Sequence, residues 1–560
     1  MIGAYSADQV RAAERPALDA GMGADLMRRA AFGLSTAVLR ELRARRGRVS
    51  GARVTALVGK GNNGGDGLWA LAFLAHRGVA VTAVLVDSSA HGEGLAALLS
   101  AGGRVLKLMP GAVSGDTAPD DEPQDGTAWD GTAQGDRVHG GTAEGGTAHD
   151  GAARVALISP AEARDECVRA DVLIDAILGT GARGGLRGAA AELVGLLERE
   201  RTVAPDFPFV VACDVPSGVD PDTGEVAGPV LRAGATVTFA AAKAGLLLPP
   251  GAGAAGRVDV VPIGVEDRLG EPTVRQLGAE DVSRALPRPA AEGHKYTRGV
   301  LGVVAGSEEY PGAAVLACSG ALSAGAGMIR YFGPPSVAAV VTAALPEVVC
   351  HSGPELRGRV QAWVLGSGVS GEGQLDRCRQ ALSLGQPAVV DAGALDLVSE
   401  GDEDRPEVIL TPHAGELARL LSRLGVDRER SAVEATALDS LREAVRLTRA
   451  TILLKGPHTV CCEPGGILYS QADGTPWLAT AGSGDVLAGI LGALLAQGGA
   501  APSSSGGEPG EGHWAATAGL AAAVHGRAGR IASGEAGGGR GHPITARDVV
   551  RAARLVWDGP

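Results

Sequence analysis

No stretch of the 560-residue chain supplies the roughly 20 consecutive apolar residues of a membrane helix. The nearest candidate, AAVLACSGALSAGAGMIR, is laden with glycine and ends in Arg330, so it reads as a buried helix in a large globular core. The opening residues, MIGAYSADQVRAAERPALDAG, mix charge into an amphipathic pattern and lack the apolar centre of a secretion signal. Basic charge is not in excess. Lys and Arg number 51 against 64 Asp and Glu, a formal charge of −13, which speaks against a nucleic-acid groove or an anionic membrane partner. The seven cysteines are scattered, and only Cys461 and Cys462 are adjacent. No paired CxxC frames a zinc site, and a reducing compartment, the cytoplasm, is the expected home.

Glycine, by contrast, is abundant at 86 copies, part of which reflects compositional bias. The densest functional cluster is VGKGNNGGDGLW, residues 58–69, between an apolar run and a helical pattern. Each glycine costs backbone entropy, so a strand-to-helix junction this rich in them suggests close approach of a ligand to the main chain. No Lys-Ser/Thr follows, so it is not a Walker loop, and GxGxxG alone would be a weak dinucleotide signal.

Residues 5 to about 50 read as two helices, the first capped by Ser6. Short apolar, β-branched strands then alternate with helices: RVTALVG, VAVTAVLVD, ADVLIDAILG, FPFVVACDVPSG and GATVTFA. That alternation predicts a mostly parallel sheet covered on both faces. A second series begins with GVLGVVAG and runs through VQAWVLGSG, PAVVDAGAL, PEVILTPHAGE and ATILLKGPHTVCCE to TAGSGDVLAGILGALLAQG. The expected architecture is two α/β domains, with boundaries at 1–275 and 295–560 and a linker carrying one short helix over 276–294. Residues 111–153 break the rhythm, with GTA at 126, 131, 141 and 146, nine acidic residues and one arginine. Such a stretch buries too little area to offset its ordering entropy and reads as a disordered insertion. A calcium-binding repeat is the sharper alternative, but its periodicity does not fit. Residues 499–513 and 533–542 read as further loops.

In an open parallel sheet, polar residues at the carboxyl ends of strands converge on one crevice. Three such ends stand in the first half: the loop above, DAILGTGARGG at 175–185, and CDVPSGVD at 213–220. Asn63, Asp175 and Ser217 would offer oxygen ligands, which suit a hard, weakly charged cation better than zinc or copper. Taken together, these segments and LMRRAA resemble the epimerase domain of the NAD(P)H-hydrate repair enzymes, over about residues 5–265. The resemblance implies a Rossmann-like three-layer fold. It implies substrate contacts at Asn62, Asn63, Gly64, Gly65 and Asp66, at Gly179, Thr180, Gly181, Ala182, Arg183, Gly184 and Gly185, and at Asp214. It also implies potassium on Asn63, Asp175 and Ser217. Asp214 is the expected proton-handling residue, against a plain capping role at its turn. Lys243 reads as an acid partner or a phosphate contact.

In the second half, TAGSGDVLAG at 480–489 sets Asp485 at the start of an apolar helix after a tight glycine turn. Helix-terminal N–H groups can hold phosphoryl oxygens there, and an aspartate can accept a proton from an attacking hydroxyl. With LLKGPHTV, LTPHAGE, LGSGVSG and AGSEEYPGAA, residues 295–558 resemble the dehydratase domain of the same enzymes, a member of the ribokinase-like superfamily. The resemblance implies substrate contacts at Ala313, Gly368, His413 and Asp485, with Asp485 catalytic. The phosphoryl donor, ADP or ATP, would meet Lys455, Gly456, Pro457, His458, Thr459 and Gly484, and Glu416 would orient magnesium-bound water. The implied activity is epimerisation of hydrated NADH or NADPH at C6, followed by nucleotide-dependent dehydration of the S form. Small molecules are the expected partners, with neither nucleic acid nor membrane, in a homo-oligomer. A small-molecule kinase shares the glycine-aspartate logic of the second half. Fusion to an epimerase separates the two, since epimerisation makes sense beside an enzyme accepting one configuration. An idle binding module is opposed by retention of Asn63, Asp175, Lys455 and Asp485.

Overall fold

A computed structural model describes residues 1–109, 155–181, 183–500 and 512–559. The 111–153 insertion and Ala182 lie outside the described residues, as does most of the 499–513 loop. The first half is built on an eight-stranded parallel sheet. From one edge its order is Arg257–Val261, Ala235–Phe239, Phe209–Cys213, Val172–Ala176, Arg53–Val58, Ala80–Leu85, Arg104–Leu108 and Ala156–Ile158. The central strands are buried almost throughout, which is why they read as continuous apolar runs.

Helices Ala7–Asp19, Gly23–Arg46 and Asn62–Ala75 cover one face, and Pro160–Val168 and Gly188–Val203 the other, each with its own apolar core. Ser6 starts the first helix as expected: its Oγ accepts from Gln9 N–H at 3.1 Å, and Gln9 Oε1 accepts from Ser6 N–H at 2.9 Å. From Arg53–Val58 the chain winds outward to Ala156–Ile158, then returns to Val172–Ala176 on the opposite side. The strand order therefore reverses between Arg53–Val58 and Val172–Ala176, and a crevice opens beyond their carboxyl ends.

The second half carries seven parallel strands in the order Val349–His351, Met328–Phe332, Val300–Val304, Ala362–Leu365, Ala388–Val390, Arg405–Leu410 and Ala450–Leu454. The antiparallel strands Thr459–Cys462 and Leu468–Gln471 follow. The sheet does not stop there. Val274–Gln276, Ile2–Tyr5 and Ala242–Lys243, all from the first 276 residues, extend it to twelve strands. The helical reading begins at residue 5, whereas Tyr5 ends a strand; a four-residue strand is too short to announce itself by alternation. The stretch 276–294 contains helix Ala279–Ala285, whose Val282 is buried with Leu277 and Leu286 in the core of the second half.

Candidate active sites

The first crevice is a cavity of about 610 Å³. Asn62, Asn63 and Asp66 line it from the first turns of helix Asn62–Ala75, Gly179, Thr180 and Gly181 from the 175–185 loop, and Asp214 and Lys243 from beneath. Gly64, Gly65, Arg183, Gly184 and Gly185 are not among its lining residues. The glycines have another use. A Cβ on Gly59 would stand 2.0 Å from the Ile177 carbonyl oxygen, one on Gly64 2.0 Å from that of Gly59, and one on Gly185 2.1 Å from that of Ala227. Much of the glycine thus lets backbone approach backbone, not ligand; Gly61 alone of the loop's first glycines faces open space.

At the floor, Asp214 adopts a left-handed φ of 66°, a conformation few non-glycine residues take. Its Oδ1 accepts from Lys243 Nζ at 2.5 Å and Thr238 Oγ1 at 3.1 Å, and its Oδ2 from the Thr180 amide at 3.2 Å and the Thr180 hydroxyl. Burial alone would raise this carboxyl, but the Lys243 ammonium and the Thr180 donors outweigh it and hold it below the usual carboxylate range. Lys243 is 2% exposed, and its ammonium also donates to Thr238 Oγ1 and the Phe239 carbonyl. Asp66 is the opposite case. It is 8% exposed, its Oδ1 has no hydrogen-bond partner, and burial, then the charges of Asp214 and Glu14, push its carboxyl well above the usual range.

Beside the cavity, Asp175 is completely buried; its Oδ1 accepts from Ser217 Oγ at 2.6 Å and its Oδ2 from the Ser217 amide at 2.8 Å. Asn63 Nδ2 donates to the Leu178 carbonyl at 2.9 Å, the same residue whose amide donates to Ser217 Oγ at 2.9 Å. The three expected cation ligands are therefore joined through Leu178. Among the described residues no group of three or more His, Cys, Asp or Glu side chains is arranged as a metal centre. The Asn63, Asp175 and Ser217 cluster has one carboxylate only, with amide and hydroxyl oxygens beside it.

The second site lies at the carboxyl ends of Ala362–Leu365, Ala388–Val390 and Ala450–Leu454. Lys455 Nζ donates to Asp391 Oδ1 at 2.8 Å and stands 3.6 Å from Glu416 Oε2. Asp391, 2% exposed, also accepts from Thr411 Oγ1 and Ser367 Oγ, each at 2.9 Å. Burial would lower the Lys455 ammonium, but Asp391 and Glu416 outweigh it and carry its pKa above the ordinary lysine value. Asp485 opens helix Ser483–Ala500, and a Cβ on its neighbour Gly484 would lie 3.6 Å from Lys455 Nζ. Burial, then the Asp391 charge, raises the Asp485 carboxyl to about 7 against the opposing pull of Lys455.

Ala313 and Gly368 also meet, since a Cβ on Gly368 (φ 63°) would fall 2.4 Å from that of Ala313. His413 caps helix Ala414–Arg423: its Nδ1 accepts from the Gly415 and Glu416 amides at 3.1 and 3.2 Å, while Glu416 Oε2 accepts from His413 N–H at 2.9 Å. The TPHAGE segment is thus a capping box that aims Glu416 at Lys455. Gly456, Pro457 and His458 form the hairpin turn between Ala450–Leu454 and Thr459–Cys462, Thr459 opening the second strand. Burial lowers the His458 pKa.

Sequence reasoning overlooked Asp391, Ser367 and Thr411, although a carboxylate directly after the apolar run PAVV was a readable sign. It also overlooked Glu14, which lines the first cavity from helix Ala7–Asp19 and whose carboxyl burial raises.

Fold and sites define a class: a two-centre α/β enzyme with a Rossmann-like half and a ribokinase-like half, each holding a lysine paired to a buried aspartate at its strand ends. Residues 23–245 match the YjeF-related protein N-terminus family, and residues 301–543 match the NAD(P)H-hydrate dehydratase family. The bifunctional NAD(P)H-hydrate repair enzyme Nnr of Mycobacterium tuberculosis (strain CDC 1551 / Oshkosh) is 38% identical over 505 residues, covering 88% of this chain and 89% of that protein. Those of Mycobacterium leprae and Moorella thermoacetica are 36% and 32% identical, covering 88% and 81% of this chain and 89% and 80% of theirs. A crystal structure of the ADP/ATP-dependent NAD(P)H-hydrate dehydratase from Bacillus subtilis, co-crystallised with ATP/Mg2+, aligns at 26% identity and a TM-score of 0.43, covering 50% of this chain and 96% of that one. The chain belongs to the bifunctional NAD(P)H-hydrate repair enzymes. Among the described residues, no helix is long and apolar enough to cross a membrane.

Proposed function

We propose that the first half interconverts the R and S hydrates of NADH and NADPH at C6, and that the second converts the S hydrate back to the reduced coenzyme at the expense of ADP. The observation that carries this reading is the paired design of the two sites. In each, a lysine donates to one buried aspartate while a second aspartate nearby has its carboxyl raised, chiefly by burial.

In the first site, Asn62, Asn63, Gly179, Thr180 and Gly181 clamp the dinucleotide. Epimerisation requires the C6 oxygen to leave with an added proton as the ring nitrogen lone pair forms a double bond to C6. Water then returns to the other face and gives up a proton. Asp214 has its oxygens occupied by Lys243, Thr238 and Thr180, and serves as a fixed negative charge facing the cationic ring intermediate. Asp66, its carboxyl raised by burial and with an unoccupied oxygen, is the better proton carrier. A potassium ion fits beside them: among the described residues, Asn63 Oδ1 is buried without a partner, and Asp175 is a buried carboxylate with no lysine or arginine paired to it. Asn63, Asp175 and Ser217 would hold that ion, which would supply positive charge beside the cavity.

In the second site, Asp485 takes the proton of the C6 hydroxyl as that oxygen attacks the terminal phosphoryl group. Hydroxide is a poor leaving group and phosphate a good one. The ring nitrogen lone pair then expels phosphate, loss of the C5 proton restores the C5–C6 double bond, and no redox change occurs. Lys455, the 456–459 turn and the amides around Gly484 hold the phosphates. Ala313, Gly368 and His413 hold the hydrated ring, and Glu416 with Asp391 offers carboxylate oxygens for magnesium, which neutralises phosphate charge when bound. All seven cysteines are free, which supports a reducing, cytoplasmic setting. We retain a homo-oligomer as part of the proposal.

The deciding experiment incubates purified protein with racemic NADPH hydrate, magnesium and either ADP or ATP. Regenerated NADPH with AMP and phosphate as co-products is expected. Nucleotide consumption without coenzyme recovery would favour a kinase instead.

A further inference from the structure

We infer that the dehydratase half positions the lysine of the epimerase site, with Ser470 as the positioning residue. The inference rests on the reading of Lys243 as part of the epimerase machinery. The ammonium of Lys243 makes its hydrogen bonds inside the first site, to Asp214 Oδ1 at 2.5 Å, the Phe239 carbonyl at 2.9 Å and Thr238 Oγ1 at 3.0 Å. Its backbone belongs elsewhere. Strand Ala242–Lys243 is not hydrogen-bonded into the eight-stranded sheet that builds the cavity; it is the terminal strand of the twelve-stranded sheet. Ala242 and Lys243 pair with Ala4 and Tyr5, residues 2–4 pair with 274–276, and Val274 and Arg275 pair with Leu468 and Tyr469.

A second tie bypasses those strands. Directly after Lys243 the chain makes a single helical turn, Ala244–Leu246, and the next carbonyl, that of Leu247, accepts from Ser470 Oγ at 2.5 Å. Ser470 is completely buried, in strand Leu468–Gln471 of the dehydratase half. Ala242, Ala244, Leu247 and Leu248 are buried in one apolar core with Val460, Cys462 and Leu468. The segment that presents the lysine is thus packed and hydrogen-bonded against the dehydratase, while the Gly245 amide donates to the Pro221 carbonyl of the first half at 2.7 Å and the charged end of Lys243 reaches into the epimerase. Backbone movement at 242–247 translates into separation of Nζ from Asp214, and a charge-assisted hydrogen bond loses strength quickly with distance and angle. Ser470 touches neither substrate; it acts through the placement of Lys243.

The test uses the full-length chain. Epimerisation is measured alone, without nucleotide, as appearance of S hydrate from purified R hydrate. Dehydration is measured on purified S hydrate with ADP and magnesium. Ser470→Ala is expected to lower epimerase kcat about three- to tenfold, the scale of one lost buried hydrogen bond, with KM unchanged. Dehydratase kcat and KM in the same sample should stay at the parent values, and Ser470→Thr, which keeps the donor, should recover the epimerase rate. Lys243→Met is expected to lower it further than Ser470→Ala does. An unchanged epimerase kcat in Ser470→Ala, alongside a large loss in Lys243→Met, overturns the positioning role and leaves the lysine reading intact. Equal loss of both activities in Ser470→Ala, unrecovered by Thr, marks a purely structural residue and overturns it too. Parent epimerase activity in Lys243→Met refutes the reading of Lys243 itself.

Discussion

Replacing Asp485 with asparagine preserves the shape of the side chain and deletes its ability to accept a proton. General-base assistance is worth about 10²–10⁴ in rate, so Asp485→Asn should lower dehydratase kcat by that factor, or roughly 3–5 kcal/mol of transition-state stabilisation. The structure adds a pH signature. Because the Asp485 carboxyl is raised to about 7, the base form accumulates only as pH rises through neutrality. The parent dehydratase rate should accordingly climb about tenfold between pH 6 and a plateau above pH 8, while the residual rate of Asp485→Asn stays flat across that span. Epimerisation of R to S hydrate, which uses the separate cavity lined by Asp66 and Asp214, should be unaffected. Stopped assays on pure S hydrate with ADP and magnesium, scored by recovered NADPH, measure both. A variant that dehydrates within tenfold of the parent, or a parent rate independent of pH over that interval, would refute the assignment.

Further expectations concern the surrounding groups. Asp391→Asn removes the nearest like charge from Asp485, so the rising limb of the dehydratase pH profile should move to lower pH, even as kcat falls because Lys455 loses its anchor. Asp175→Asn should abolish any difference between potassium and sodium in the epimerase assay; persistence of that difference would place the ion elsewhere. Gly59→Ala forces a Cβ against the Ile177 carbonyl and should destabilise the first half by about 1–3 kcal/mol in thermal unfolding, with the dehydratase spared. Asp66→Asn should lower epimerase kcat and raise stability. Its folded-state pKa lies above the unfolded value, so the native protein loses stability as pH climbs from about 4 toward that raised pKa. A neutral isostere avoids that loss, and a lower melting temperature at pH 7 would contradict it.

The sequence announced its strands through apolar runs and its sites through glycine and aspartate at strand ends, because in a doubly wound sheet those ends are where polar residues converge. It placed Asn63, Asp175 and Ser217 together correctly in space, although 154 positions separate the first from the last. Less of the glycine's purpose was legible. Gly59, Gly64 and Gly185 serve contacts between main chains that are distant in sequence, and nothing local distinguishes them from Gly61, which faces open space. The twelve-stranded sheet was beyond reach for the same reason. Ile2–Tyr5, Ala242–Lys243 and Val274–Gln276 are two to four residues long, and strands that short owe their existence to partners far along the chain. Asp391, directly after PAVV, was legible as a polar residue at a strand end, but its weight shows only in its three donors.

The two sites, on unrelated folds, converge on one electrostatic device. Lys243 holds Asp214 below the usual carboxylate range, and Lys455, partly exposed, donates to the buried Asp391. The charge so maintained then acts on a neighbour. Asp214 helps raise Asp66, and Asp391 helps raise Asp485, with the lysine pulling the other way in both cases. Separating the affinities of two carboxyls in one cleft is how an enzyme obtains, at a single pH, one group that stays charged and another that exchanges protons. The hydrate demands both. Its ring nitrogen becomes cationic whenever the C6 substituent leaves, which calls for a fixed negative charge, and its C6 oxygen must gain or lose a proton, which calls for a titrating one. On the proposed function, the fixed charge would be Asp214, and the mobile proton of the first half would belong to Asp66. Asp214→Asn should then depress epimerase kcat without flattening its pH dependence, whereas Asp66→Asn should do both.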